Sequence, residues 1–137
     1  MTPKLATALG LVLVAALVVP ATAATPKAGS WSGDTKQNKS IGFKVTPGGE
    51  KVKNLHFGAK GSCDNGATFT SATRFDGKFK IEDGEFTAKS NKTVVRGEFT
   101  SKKKAEGTLK YNSSNYDPIS LSFVNCHSGK VRWTAER

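Results

Sequence analysis

The chain has 137 residues, with 21 Lys and Arg against 11 Asp and Glu, a formal net charge of +10 and 36% hydrophobic residues. That length bounds it to one domain, and it carries neither a glycine-rich phosphate loop nor a G-x-S-x-G elbow, which removes the common nucleotide-binding and serine-hydrolase signatures. An outright basic chain invites polyanionic partners instead: wall polymers, acidic polysaccharide, phospholipid surfaces or nucleic acid.

The first element in chain order is a secretory leader over residues 1–23. One lysine, Lys4, precedes an apolar run from Leu5 to Val19, which breaks at Pro20 before the small residues Ala21 and Ala23. Those small side chains suit a signal peptidase cleft, so cleavage is expected after Ala23. The alternative is an uncleaved anchor, but the run spans 15 residues, short of the roughly 20 that cross a bilayer. Removing 23 of 137 residues leaves 114, and with Lys4 gone 20 basic side chains face 11 acidic ones, a sum of +9. The expected destination is extracellular or attached to the cell envelope, with no membrane span after cleavage. Residues 24–29 read as a short spacer and residues 30–137 as a single antiparallel β domain.

From Trp31 onward the apolar period is two. Ile41, Phe43 and Val45 alternate with Gly42 and Lys44; Phe79 and Ile81 with Lys78 and Lys80; Val95, Gly97 and Phe99 with Arg96 and Glu98. Ala105 to Tyr111 continue the pattern, as do Ile119, Leu121 and Phe123, then Val131, Trp133 and Ala135. Half-buried strands require this alternation, and no helical stripe competes with it. Turn residues punctuate the runs at Pro47-Gly48-Gly49, Asp64-Asn65-Gly66, Asp83-Gly84, Ser90-Asn91-Lys92, Ser113-Ser114-Asn115 and Ser128-Gly129. Phe75-Asp76-Gly77-Lys78 is the strongest hairpin signal, because Asp-Gly favours the positive φ of tight turns. About ten short strands without crossover helices predict an all-β, antiparallel, jelly-roll-like β-sandwich, with a closed β-barrel as the alternative. The eight phenylalanines nearly all fall in the apolar phase and are expected in the core.

Two cysteines, Cys63 and Cys126, in a chain that matures in an oxidising space predict one disulfide. The short motifs GSWSGDTKQ (29–37), IGFKV (41–45), GEF (84–86), VRGEF (95–99), AEGTL (105–109) and CHSG (126–129), followed by WTAER, stand in an order that resembles a family of small secreted bacterial all-β domains. That family has a paired-cysteine layout and a C-terminal C-x-S-G motif followed by W-T-A. The resemblance implies a secreted all-β fold over nearly the whole mature chain and supplies no catalytic or binding residue.

Cys126 beside His127 is the densest potential chemistry in the chain. A nucleophilic thiolate needs a free Cys126 and a base in reach, yet neighbours in a strand point to opposite faces and pairing with Cys63 removes the nucleophile. Zinc would need about four ligands, and His56, Cys63, Cys126 and His127 have no compact chelating spacing. Asp64-Asn65-Gly66 and Glu82-Asp83-Gly84-Glu85 lack the oxygen offsets of a calcium loop. Glu82, Asp83 and Glu85 crowd into one turn, whereas a glycosidase sets two carboxylates across a cleft. No catalytic residue, metal or cofactor is therefore expected.

The basic surface remains. Lys102-Lys103-Lys104 is the one lysine run, flanked in the outward phase by Arg96 and Lys110, and these five are the polyanion-binding candidates. Glu98 and Glu106 interrupt the same rows, so cross-strand ion pairs are expected to dissipate part of the field, and exposed lysines also guard strand edges against aggregation. Trp31, Tyr111 and Tyr116 are the candidates for an exposed stacking platform, although Trp31 could equally close one end of the core. The expectation is a secreted, monomeric, non-enzymatic binding or surface-interaction module for an anionic wall or matrix polymer, with no nucleic acid partner. The alternative is a small extracellular carbohydrate-active hydrolase or lyase.

Overall fold

The structure is a computed structural model that describes residues 23–137; the leader expected over residues 1–23 lies, apart from Ala23, outside the described residues. Nine strands follow in order: β1 (Gly29–Thr35), β2 (Ser40–Val45), β3 (Lys51–Cys63), β4 (Thr68–Arg74), β5 (Lys78–Lys80), β6 (Glu85–Ser90), β7 (Thr93–Phe99), β8 (Lys104–Asp117) and β9 (Ser122–Glu136). Every pairing is antiparallel, and the hydrogen-bonded order is β4-β3-β2-β1-β9-β8-β7-β6, with β5 also on β3.

This continuous sheet doubles over itself. Phe43 on β2 lies 5.7 Å from Phe86 on β6, 6.1 Å from Phe99 on β7 and 6.0 Å from Trp133 on β9, ring centroid to ring centroid. In the sheet order β2 and β6 stand at opposite ends of a run of six strands, so only face-to-face packing brings their side chains together. The result is a β-sandwich whose two inner faces contribute alternate residues to one core. Val95, Phe99, Ala105, Leu109, Val131 and Ala135 come from one layer, and Ile41, Phe43, Val52, Leu55 and Phe57 from the other. Tilted and edge-on rings at these distances add to the area they bury.

One phase shift in the sequence has a local cause. Val52 and Leu55 are both fully buried although three residues apart, which a regular strand forbids. The pairing of β2 with β3 shifts register between Gly42 and Lys44, and Asn54 sits at φ 53. A bulge there turns the rest of β3 back onto the core face.

Several expectations need correction. Nine strands form, in keeping with the expected number of about ten, but two expected breaks are absent: Ser113-Ser114-Asn115 lie within β8, and Ser128-Gly129 lie within β9, where Gly129 takes φ 68. Phe75-Asp76-Gly77-Lys78 is not a hairpin. β4 pairs with β3 over Gly58–Ser62 and neighbours, β5 pairs with it over Lys51–Lys53, and Phe75 N–H donates to the Leu55 carbonyl between them. The chain therefore runs on along one long partner, and Gly77 at φ 105 supplies a kink instead of a reversal. Two-residue turns form instead at Asp83-Gly84, with φ 50 and 74, closed by Glu82 and Glu85, and at Asn91-Lys92, with Asn91 at φ 53, closed by Ser90 and Thr93. Finally, Ile119 and Leu121 belong to the β8–β9 turn, and with Phe123 they are 93%, 75% and 70% exposed.

Candidate functional site

Cys63 and Cys126 are cross-strand partners on β3 and β9, and their disulfide closes the sandwich where those two strands meet. No described cysteine is free. His127 is an exposed neighbour on the opposite face, paired in register with Ser62 and Asn112. His56, which pairs with Gly42 and Arg74, lies six residues before Ser62 on β3, about 20 Å along the strand. The two histidines do not converge. Glu82, Asp83 and Glu85 surround the β5–β6 turn, where Lys80 Nζ lies 2.9 Å from Glu82 Oε1. That exposed bond holds the Glu82 carboxyl below its ordinary range and contributes little to stability. Among the described residues, no group of three or more His, Cys, Asp or Glu side chains is placed to hold a metal ion.

The outward face of β6-β7-β8-β9-β1 has more order than the sequence pattern suggested. Registers set Glu85 opposite Glu98, Glu98 opposite Glu106, Glu106 opposite Thr134, and Thr134 opposite Asp34. The adjacent outward row reads Thr87, Arg96, Thr108 and Arg132, and Lys36 N–H donates to the Arg132 carbonyl. A further row aligns Lys89, Val94, Lys110 and Lys130. The expected cross-strand ion pairs along these rows do not form: Glu98 faces Glu85 and Glu106, Arg96 faces Thr87 and Thr108, and Lys110 faces Val94 and Lys130. The single ion pair within 4.0 Å among the described residues is Lys80–Glu82, elsewhere. Like charges directly opposed on a sheet destabilise it, so this register is maintained by the core face at an electrostatic cost.

Acidic and basic rows share an open groove of about 850 Å³ whose lining includes Asp34, Glu98, Glu106, Arg96 and Arg132. Its floor is thin because Gly97 and Gly107 face one another across β7 and β8, with the rings of Phe86 and Trp133 lying over the inner side of the pair. Beyond the acidic row, towards Lys110, lie six cations and no carboxylate: Lys36, Lys89, Arg96, Lys110, Lys130 and Arg132. Four of these, Lys36, Lys89, Lys130 and Arg132, were missed in the sequence. Lys130 and Arg132 could have been found as the outward phase of the strand carrying Val131 and Trp133, whereas Lys89 joins the row only through the register of three strands.

The lysine run occupies the far end. Lys102 and Lys103 lie in the β7–β8 connection and Lys104 opens β8, six residues from Lys110 along the same strand, with Glu106 between. The Lys102 carbonyl accepts from Lys27 N–H and the Lys103 carbonyl from Arg137 N–H, so the run is joined by Lys27 and Arg137 and forms a second basic region. Trp31 is 2% exposed, stacks 5.8 Å from Phe43 and donates its Nε1 hydrogen to the Lys27 carbonyl; it is core and offers no ring face to a ligand. Tyr111 is half-buried against Phe69 at 5.3 Å. Tyr116 is 55% exposed and pairs edge-on with Phe123, in a place unconnected to either basic region. The three aromatic candidates do not form one platform.

No family model matches the chain, and no curated protein or solved structure is significantly similar to it. No helix of the described residues is long and apolar enough to cross a membrane.

Proposed function

We propose that the chain is a secreted, non-enzymatic binding module whose outward sheet face engages an anionic wall or matrix polymer through the six cations around Lys110 and Lys130. The single observation that carries this is the direct opposition of Lys110 and Lys130, continued by Arg96 and Arg132 one row away. Folding gains nothing from placing these charges together. An extended polyanion crossing the strands neutralises both rows at once, and Thr87 and Thr108, which flank Arg96 in its row, offer hydroxyls to sulfate, phosphate or carboxylate oxygens. The disulfide accords with an oxidising compartment outside the cell.

The test is retention on an anionic polymer column as salt rises. Wild-type protein is expected to elute at a clear salt threshold, Lys110→Glu/Lys130→Glu much earlier, and Lys102→Glu/Lys103→Glu/Lys104→Glu only slightly earlier. Equal losses in the two variants would place binding in diffuse charge, and retention indifferent to salt would end the electrostatic reading.

A second reading, carbohydrate hydrolysis, draws on Glu85, Glu98 and Glu106 standing side by side in the groove. Opposed residues on a sheet have Cβ atoms about 5 Å apart, near the separation of paired glycosidase carboxylates. Release of reducing ends from acidic polysaccharide, abolished by Glu98→Gln or Glu106→Gln with retention unchanged, is the outcome that would favour it.

A further inference from the structure

β8 and β9 outlast their neighbours. β7 is last paired with β8 at Val94–Lys110, and β3 meets β9 only at Ser62–His127 and Cys63–Cys126. The three rungs from Asn115–Val124 to Asp117–Ser122 have no third strand, while the Asn125 carbonyl one rung lower still accepts from Asp64 N–H, so the pair projects from the sandwich as a two-stranded ribbon. The disulfide clamps its root. In a chain with 23% charged residues, the span between Lys110 and Lys130 holds a single carboxylate, Asp117, and no Lys or Arg.

Polarity is graded along this ribbon. Its stem carries Ser113, Ser114, Asn115 and Asn125; the next rung is the edge-on pair of Tyr116 and Phe123, centroids 5.6 Å apart; the apex bears Ile119 and Leu121. All four large apolar side chains are more than half exposed, and none contributes to the core. The lone carboxylate is turned back onto its own turn: Asp117 Oδ1 accepts from Ile119 N–H at 2.9 Å and Oδ2 from Ser120 Oγ–H at 2.9 Å. Leu121 is held at φ 56, in the left-handed region where a branched side chain is uncommon. The turn is thus built to hold aliphatic groups out into solvent.

We propose that this ribbon tip inserts into the interfacial layer of an anionic phospholipid bilayer and docks the folded domain on the membrane surface without spanning it. A bilayer presents hydrocarbon to the apex, the headgroup boundary to the aromatic rung and water to the Ser and Asn stem, in the order that the ribbon supplies them. Interfacial amphipathic helices bury their apolar faces roughly 5–10 Å into that boundary, and the apex requires no greater depth. The excess of basic residues on the body adds long-range attraction to anionic lipid. A second copy of the chain explains the gradient less well, since tip-to-tip pairing brings two cationic bodies together and leaves the aromatic–aliphatic order without a use.

The experiment uses the full chain with Phe123→Trp as a reporter, and vesicles of phosphatidylcholine with a minor fraction of phosphatidylglycerol. Trp31 and Trp133 are buried, so the introduced indole dominates the change. Expected are a blue shift of its emission, quenching by lipids brominated high on the acyl chain, and persistence in about 1 M salt, where the screening length falls to about 3 Å. Adding Ile119→Ser and Leu121→Ser removes two apolar anchors and is expected to lower vesicle partitioning at least about tenfold, with the denaturation midpoint unchanged because neither residue is in the core. The leader segment is common to all variants and cancels in the comparison. Absence of a blue shift, partitioning indifferent to Ile119 and Leu121, or a lipid-free dimer dispersed by the same two substitutions each overturns the proposal. Since Lys110→Glu/Lys130→Glu leaves the tip intact, failure of polyanion binding and failure of insertion are separately visible.

Discussion

Gly107 lies directly opposite Trp133 across β8 and β9, and the indole covers the place where a side chain at 107 would be. A Cβ there would run into the Arg96 carbonyl oxygen and lie 2.7 Å from Trp133 Cζ2. One obstacle is backbone and the other is a ring fully buried among Phe43 and Phe86, so neither can give way. Gly107→Ala is expected to cost about 3 kcal/mol, read as a lowered midpoint in urea with an unchanged slope.

Trp133 also holds the one buried side-chain polar atom without a partner among the described residues, its Nε1. Burying an unpaired donor costs about 1–3 kcal/mol. Trp133→Phe removes that penalty while leaving a modest cavity, so the two effects oppose, and a net change within about 1 kcal/mol is expected, against about 3–5 kcal/mol for Trp133→Ala. Denaturation of the two variants side by side measures the difference.

Removing the disulfide acts at two scales. Cys63 and Cys126 are 63 residues apart, and in the chain-entropy account a loop of that length is worth about 4 kcal/mol. Cys63→Ala/Cys126→Ala is expected to lose that order of stability. Because the bond clamps the root of the ribbon, amide exchange from Ser113 to Asn125 is expected to accelerate before exchange in β7 does.

The opposed carboxylates supply a stabilising substitution. Glu98 faces Glu106 and Glu85 on either side, so Glu98→Gln removes two like-charge contacts and is expected to raise stability by about 0.5 kcal/mol. The gain should shrink with added salt. A gain independent of ionic strength would deny the electrostatic origin.

Acidification should loosen the ribbon tip. Hydrogen bonds from Ile119 N–H and then Ser120 hold the Asp117 carboxyl below its ordinary value of 3.8. A depressed folded value means that the ionised form is favoured by folding, so its contribution is complete above the unfolded value and disappears as pH falls through the lower, folded one. NMR titration should place the Asp117 midpoint below 3.8, with the Ile119 amide shifting in step, and Asp117→Asn should abolish that step.

Much of the architecture was legible without coordinates because strand alternation is a local property. Ile41, Phe43, Val95, Leu109 and Trp133 announce their burial through their immediate neighbours, and two cysteines leave only one way to form an intrachain disulfide. Asp76-Gly77 misled for the same reason: its positive φ is local, but whether it reverses the chain depends on β3 being long enough to pair on both sides of it. Ile119, Leu121 and Phe123 alternate like a buried strand and are exposed, since alternation reports a pattern of polarity and not the presence of a layer to cover it. Which charges face one another was beyond the sequence altogether. Glu98 meets Glu106, and Lys110 meets Lys130, only through registers set by core packing between strands, and register is a pairwise, long-range quantity that no single segment contains.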